Sequence, residues 1–140
     1  KNNLFTKYVE VTDNGEYKKV GDPRVGYGTM MFIRELLSCM VPKVYAQSII
    51  IGARYSLFRR QGVNAAKQEN TIIDYQTQQD KVIPRIAEYY AMTIAGTKIA
   101  QVSEDNKEKV LQGDFSLLQE THSNLAFSKA LFSELSHDGI

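Results

Sequence analysis

The chain has little from which to build a cross-linked or metal-bound fold. Its single cysteine, Cys39, excludes an internal disulfide framework and a multi-cysteine metal site, and it fits a reducing compartment. The two histidines, His122 and His137, have no carboxylate at ligand spacing, so no metal site is read. Neither sign of charge is in excess: seventeen Lys and Arg stand against sixteen Asp and Glu, a net charge of +1. That removes any global electrostatic case for nucleic acid or an anionic membrane, and any anion site must be local. No apolar run reaches transmembrane length. The opening KNNLFTKYVEV lacks the central apolar stretch of a signal peptide. No nucleophile elbow, P-loop or dinucleotide glycine fingerprint occurs. Nothing resembles an activated acid or base, and Cys39, in an apolar stretch, reads as core. The first residue is Lys1 rather than Met, and the sequence reads as a piece of something longer.

What is present is apolar periodicity. The 140 residues are 43% hydrophobic, enough for one domain with a sizeable core. Residues 4–20 alternate and are rich in Val, Tyr and Phe, with Asp13-Asn14-Gly15 in the middle, which predicts a β-hairpin. Gly21, Pro23, Gly26 and Gly28 mark 21–29 as a connector. From Thr29 to about Arg60 the period turns helical, with Ile33, Leu36, Leu37, Met40, Val44, Ile51 and Phe58 as the expected core stripe. Pro42 predicts a kink near Ser38–Val41. Residues 61–70 are polar and read as a loop. Thr71 and Asp74 resemble a capping box that opens a second helix over 71–103, with a second kink expected at Pro84. Residues 103–114 are charged and expected to be exposed. A third helix is expected from Ser116 to about Ser136, with Gly139 beyond its end. The predicted fold is mainly α: an up-down bundle of three long helices preceded by a short β-hairpin, lacking the fourth helix such bundles usually have.

The most suggestive stretch is ARYSLFRRQG, residues 53–62, where an apolar helix ends among Arg54, Arg59, Arg60 and Gln61. Cations at a helix C-terminus complement the macrodipole, and this alone accounts for a lone pair of arginines. The functional alternative is a phosphate clamp, because guanidinium offers planar paired donors and glutamine adds a neutral one. Arg54 lies about 140° around the helix from Arg59 and is not part of the same face. Arg34 is either a snorkelling surface arginine or a cation lining a cleft. Gln76, Gln78 and Gln79 form either a solvated face or an amide cluster able to hold a ligand's heteroatoms.

Five stretches together resemble the acyl-CoA oxidases, FAD enzymes of the acyl-CoA dehydrogenase superfamily. YVEVTDNGEYKKV is similar to the segment leading out of that family's β-domain, and GYGTMMFIRELL to its Y-G-T-M-x-x-x-R helix start. ARYSLFRRQG resembles R-Y-S-x-x-R-R-Q-F-G, and IIDYQTQQDKVIPRIAEYYA resembles I-D-Y-x-T-Q-Q-x-x-x-x-P-x-x-A-x-x-Y-A. ETHSNLAFSKAL is similar to the third bundle helix. The order and gaps make the set specific although each motif is modest.

The resemblance implies that residues 1–25 end a β-domain and that 26–140 begin a helical-bundle domain. It implies FAD as cofactor, with Arg59 on the pyrophosphate of a neighbouring subunit's FAD and Gln61 and Gln79 near it. Tyr27 and Arg34 would lie by the acyl-CoA. The implied partners are acyl-CoA, O2 and a second copy in a homodimer, with no nucleic acid and no membrane span, and the implied location is peroxisomal. The parent would convert acyl-CoA to trans-2-enoyl-CoA and reduce O2 to H2O2. Three departures stand out. Gly62 follows Gln61 where the family has Phe, Pro42 interrupts the first helix, and the family's G-G-H-G-Y region with its nearby catalytic glutamate is absent. The expectation is therefore a segment with no catalytic residue, inactive by itself. The rival readings are an acyl-CoA dehydrogenase using a protein electron acceptor and a non-enzymatic helical-bundle interaction module.

Overall fold

The computed structural model describes residues 9–20 and 23–139, without the side chains of 23–26. The chain divides into two compact units, residues 1–33 and 34–140.

In the first unit, β1 (Val9–Val11) pairs antiparallel with β2 (Tyr17–Lys19) in the register Val9↔Lys19. Gly15, at φ +85°, makes the turn, and its N–H donates to the Thr12 carbonyl at 3.0 Å. The hairpin read from Asp13-Asn14-Gly15 is therefore present; residues 4–8 of that reading lie outside the described residues. Helix α1 spans Pro23–Phe58, beginning six residues before the expected Thr29. Pro23 occupies the first helical position, where its missing N–H costs nothing. Of the residues read as a connector, Gly21 and Asp22 lie outside the described set and the rest are helical.

The second unit contains the rest of α1, then β3 (Arg60–Val63), β4 (Glu69–Thr71), the short 3-10 turn Ile72–Asp74, α2 (Gln76–Leu111) and α3 (Leu118–Gly139). Pro42 and Pro84 sit inside α1 and α2 without ending either helix. The expected exposed stretch 103–114 is helical up to Leu111, and Ser103 and Asn106 are buried. Glu104, Asp105 and Glu108 there are exposed, while Lys107 is half-buried and turned to Glu35, so composition concealed the continuing period. Helix α3 also runs past its expected end, with Gly139 inside it rather than beyond it.

The inner seam differs from the expected apolar stripe. On the part of α1 in the second unit the buried residues are Ser38, Pro42, Tyr45 and Ser56, with Val41 and Ile49 beside them, and Met31 is buried in the first unit, whereas Ile33, Leu36, Leu37, Met40, Val44, Ile51 and Phe58 are exposed. On α2 the seam is Met92, Gly96, Ser103 and Asn106, and on α3 it is Thr121, Leu125, Ser128 and Phe132. Small residues on facing helices let the backbones approach closely, and hydroxyls then bond across the gap. Ser38 Oγ lies 2.7 Å from Ser128 Oγ and also donates to the Arg34 carbonyl at 2.9 Å. A Cβ on Gly96 would stand 2.8 Å from the Ser38 carbonyl oxygen. That carbonyl is the one whose helical N–H donor Pro42 removes, so the proline frees the acceptor on which Gly96 packs.

Tyr45, Met92 and Phe132 form the apolar centre. The Tyr45 hydroxyl donates to Glu88 Oε2 at 2.6 Å, and Glu88 pairs with Arg85 at 2.9 Å. Higher up, Glu35 accepts from Ser103 Oγ and pairs with Lys107 at 3.0 Å. Cys39 is half-buried and lines a groove of about 360 Å³ with Pro42, Lys43, Tyr89 and Thr93, so it is not a core residue.

Among the described residues one helix, over Tyr27–Phe58, is long and apolar enough to cross a membrane, by length and composition only. Ser38, Tyr45 and Glu35 of this helix each bond to α2 or α3, as side chains at a helix–helix seam do.

Candidate functional site

Of the arginine cluster only Arg54 lies within the helix; Arg59 and Arg60 come after it. Helix α1 ends at Phe58, and the Arg59 N–H donates to the Tyr55 carbonyl at 2.8 Å as its closing bond. The Arg59 carbonyl then accepts from Ile72 N–H at 2.9 Å, so Arg59 is the corner at which helix becomes hairpin. Arg60–Val63 and Glu69–Thr71 form that antiparallel hairpin, where a polar loop was expected. Its apolar content is too low to announce strands, and local side-chain chemistry builds it instead. Asn64 Oδ1 accepts from the backbone N–H of Ala66 at 2.9 Å and of Gln68 at 3.0 Å, and Lys67 adopts φ 58°.

The register shifts between Arg60 and Val63, so Gln61 and Gly62 form a bulge. Gly62 has φ +83°, and a Cβ there would collide with the Tyr75 hydroxyl. In this chain both the backbone angle and the space therefore demand glycine. The same hydroxyl donates to the Gln61 carbonyl at 2.8 Å.

The segment after the hairpin ties this corner down. Thr71 Oγ1 donates to Asp74 Oδ2 at 2.7 Å. The expected capping box is thus replaced by a side-chain bond across a 3-10 turn, and the helix proper starts later, at Gln76. Gln78 Nε2 donates to Ser56 Oγ at 2.9 Å, joining the start of α2 to the end of α1. Gln79 Nε2 donates to the Ile73 carbonyl at 3.0 Å. Two of the three glutamines are therefore structural ties, while Gln76 is exposed. Sequence reasoning missed Tyr75, Ser56 and the tie made by Gln78; the only available signal was the D-Y-x-T-Q-Q string itself.

The outcome is a rigid corner carrying Arg59, Arg60 and Gln61, all exposed. Arg54, Arg59 and Arg60 have no ion-pair partner among the described residues. Unneutralised guanidinium groups on a tied backbone, beside a neutral amide, form a donor set suited to phosphate oxygens. Arg34 lies toward the other end of α1. It is half-buried, and its Nη1 is 3.5 Å from His122 Nδ1 on α3. Arg34 and Phe58 are separated by roughly 36 Å at 1.5 Å per residue. Tyr27, in the first unit, is half-buried.

Residues 27–140 match the model of the acyl-CoA oxidase C-alpha1 domain. The chain belongs to the acyl-CoA oxidase family. Its similarity to peroxisomal acyl-coenzyme A oxidase 2 of Rattus norvegicus is 32% identity over 140 residues, covering 98% of this chain and 20% of that protein. Among solved structures, Arabidopsis thaliana acyl-CoA oxidase 1 superposes with a TM-score of 0.86 at 31% identity, over 95% of this chain and 20% of that one. Caenorhabditis elegans acyl-CoA oxidase-2, solved with FAD, ascaroside-CoA and ATP bound, gives 0.84 at 30% identity, over 98% and 21%. This acyl-CoA oxidase segment thus spans about a fifth of the length of the relatives it matches. The three-helix architecture behind a short hairpin is that of the family's solved structures.

Proposed function

We propose that this chain forms the cofactor-clamping and cleft-lining part of a peroxisomal, FAD-dependent acyl-CoA oxidase. The observation that carries the reading is the corner at Arg59–Gln61, whose tied backbone carries unpaired cationic donors. When bound, FAD supplies the two-electron chemistry that takes acyl-CoA to trans-2-enoyl-CoA with O2 reduced to H2O2. In this reading Arg59 grips the pyrophosphate and Gln61 adds an amide donor. Gln79 contributes through the turn it ties to Ile73. Arg34 is assigned to acyl-CoA, and Tyr27, in the first unit, is assigned to it separately on the family resemblance. No catalytic residue is assigned within these 140 residues; the base that removes the α-proton belongs to another part of the parent, and the segment alone is inactive.

The separation of Arg34 from the hairpin supports a homodimer. Roughly 36 Å of helix exceeds the reach from flavin ring to pyrophosphate within one FAD. The two ends of α1 therefore serve two different active sites, one in each subunit.

The test is Arg59→Ala in the full-length protein. Loss of a charge-assisted bidentate contact worth about 1.5–3 kcal/mol raises the FAD dissociation constant on the order of 10- to 100-fold, with helical content unchanged. Unaltered FAD affinity would remove the clamp. Stoichiometric peroxide release separates this oxidase from a dehydrogenase that passes electrons to a protein.

A further inference from the structure

We propose that Tyr75 is a positioning residue for the FAD clamp: its hydroxyl, bonded to the Gln61 carbonyl and seated against Gly62, fixes the bulge from which Arg59 and Gln61 present their donors. The inference rests on the proposed role of Arg59 and goes beyond it, because Tyr75 carries no charge and has no assigned contact with FAD. Three observations on different atoms converge. The hydroxyl donates to the Gln61 carbonyl at 2.8 Å, across fourteen residues of chain. Gly62 has no space for a Cβ on the side of that hydroxyl and holds φ +83°. The hairpin has a register shift at these two residues, so its ladder alone does not fix their backbone. A bulge lacks the regular pairing that would hold it, and here a side chain from the next element supplies the missing bond. Tyr75 is itself held, because its backbone carbonyl accepts from the N–H groups of Gln78 and Gln79 at 2.9 and 3.1 Å. The phenol thus connects the first turn of α2 to the corner that carries the cations. Arg59 stands two residues before Gln61, and its carbonyl is bonded to Ile72 N–H at 2.9 Å, so a released bulge shifts the Arg59 side chain through a short, doubly anchored stretch.

The experiment is a double-mutant cycle in the full-length holoenzyme, read as the FAD dissociation constant, with hydrogen exchange of bundle and hairpin peptides alongside. Tyr75→Phe keeps the ring and removes only the hydroxyl. The expected result is a three- to tenfold weaker FAD affinity, about the effect of one neutral hydrogen bond. Exchange should be faster in the 59–64 peptide and unchanged in α3. In an Arg59→Ala background the same change should have almost no further effect, because the residue acts through Arg59. Gly62→Ala, which displaces the hydroxyl from the opposite side, should weaken FAD in the same direction. If Arg59→Ala alone leaves FAD affinity unchanged, the clamp itself is wrong. If Arg59→Ala weakens FAD but Tyr75→Phe stays within twofold of wild type, the positioning role is wrong and the clamp stands. Equal losses from Tyr75→Phe in both backgrounds, or loss of protection in α3, would assign Tyr75 a general structural role and overturn the inference.

Discussion

Tyr45→Ala loosens the helical bundle by about 3–5 kcal/mol, the range for removing a large buried aromatic. Tyr45 has no exposed surface and packs with Met92 and Phe132 at the point where all three helices meet. Gly139 of α3 lies so close that a Cβ there would strike the ring, which shows how tightly the phenol is enclosed. Its hydroxyl is also the donor that satisfies Glu88. Tyr45→Phe isolates that second contribution and should cost about 1.5–3 kcal/mol, since the acceptor is charged. Hydrogen exchange of α1–α3 peptides in the full-length protein measures both, with alanine speeding exchange by about two to four orders of magnitude where opening is limiting.

The same network gives a pH dependence with opposite signs at its two ends. Burial first, and the Glu88 carboxylate second, push the Tyr45 hydroxyl up to about 12 from its ordinary 10.0. Its contribution is complete below 10 and is lost as pH rises through about 12. Partial burial pulls the Glu88 carboxyl upward, but the hydrogen bonds from Tyr45 and Arg85 outweigh it and hold the group below its ordinary 4.5. That contribution is present above the ordinary value and is lost as pH falls through the lowered one. Protection of the bundle should therefore be flat between these limits, and Tyr45→Phe should reduce the alkaline loss while leaving an acid one; the alkaline remainder belongs to Lys107, which Glu104 and Glu35 hold above its ordinary 10.5. An unchanged alkaline limb in Tyr45→Phe would show that another group governs it.

Gly96→Val should cost about 3 kcal/mol, the upper part of the usual range for overpacking. The added carbons meet the Ser38 carbonyl oxygen at 2.8 Å, and Ser38 is held by bonds to Arg34 and Ser128 at 2.9 and 2.7 Å. The obstacle is backbone rather than the end of a flexible side chain, so it cannot yield cheaply. Gly96→Ala should cost less, because the helix propensity of alanine returns about 1 kcal/mol. Gly52→Ala is the control. Nothing lies within 4 Å of a Cβ at that helical position, and the change should stabilise by about 0.5–1 kcal/mol. Equal effects at Gly52 and Gly96 would contradict the close crossing at Ser38.

How far the sequence could be read depended on how sharply each element separates its faces. On α3, Leu125, Phe132 and Leu135 recur at helical spacing, and the first two are buried with the third beside them, while Phe127 and Leu131 lie exposed on other faces. The first hairpin was legible because Asn14-Gly15 is a local signal that needs no partner. Helix α1 was not legible in the same way, since it is apolar on nearly every side. Periodicity located a helix there but selected Leu36, Met40 and Val44 as its inner face, while Ser38 and Tyr45 hold that place. The choice between those faces lies in Gly96 and Ser128, on helices more than fifty residues away, whose small size lets Ser38 approach. The site divides the same way. The residues Arg59, Gln61, Gln79 and Arg34 and the family pattern that names them could be read along the chain. The end of α1 at Phe58, the bulge at Gln61–Gly62, and the Tyr75 and Gln78 ties came only with the fold. Composition and motif order determined the family, a mainly helical class and the candidate donors. Tertiary packing decided which faces touch and how the arginine corner is held, because both depend on small residues and hydroxyls whose partners are distant in sequence.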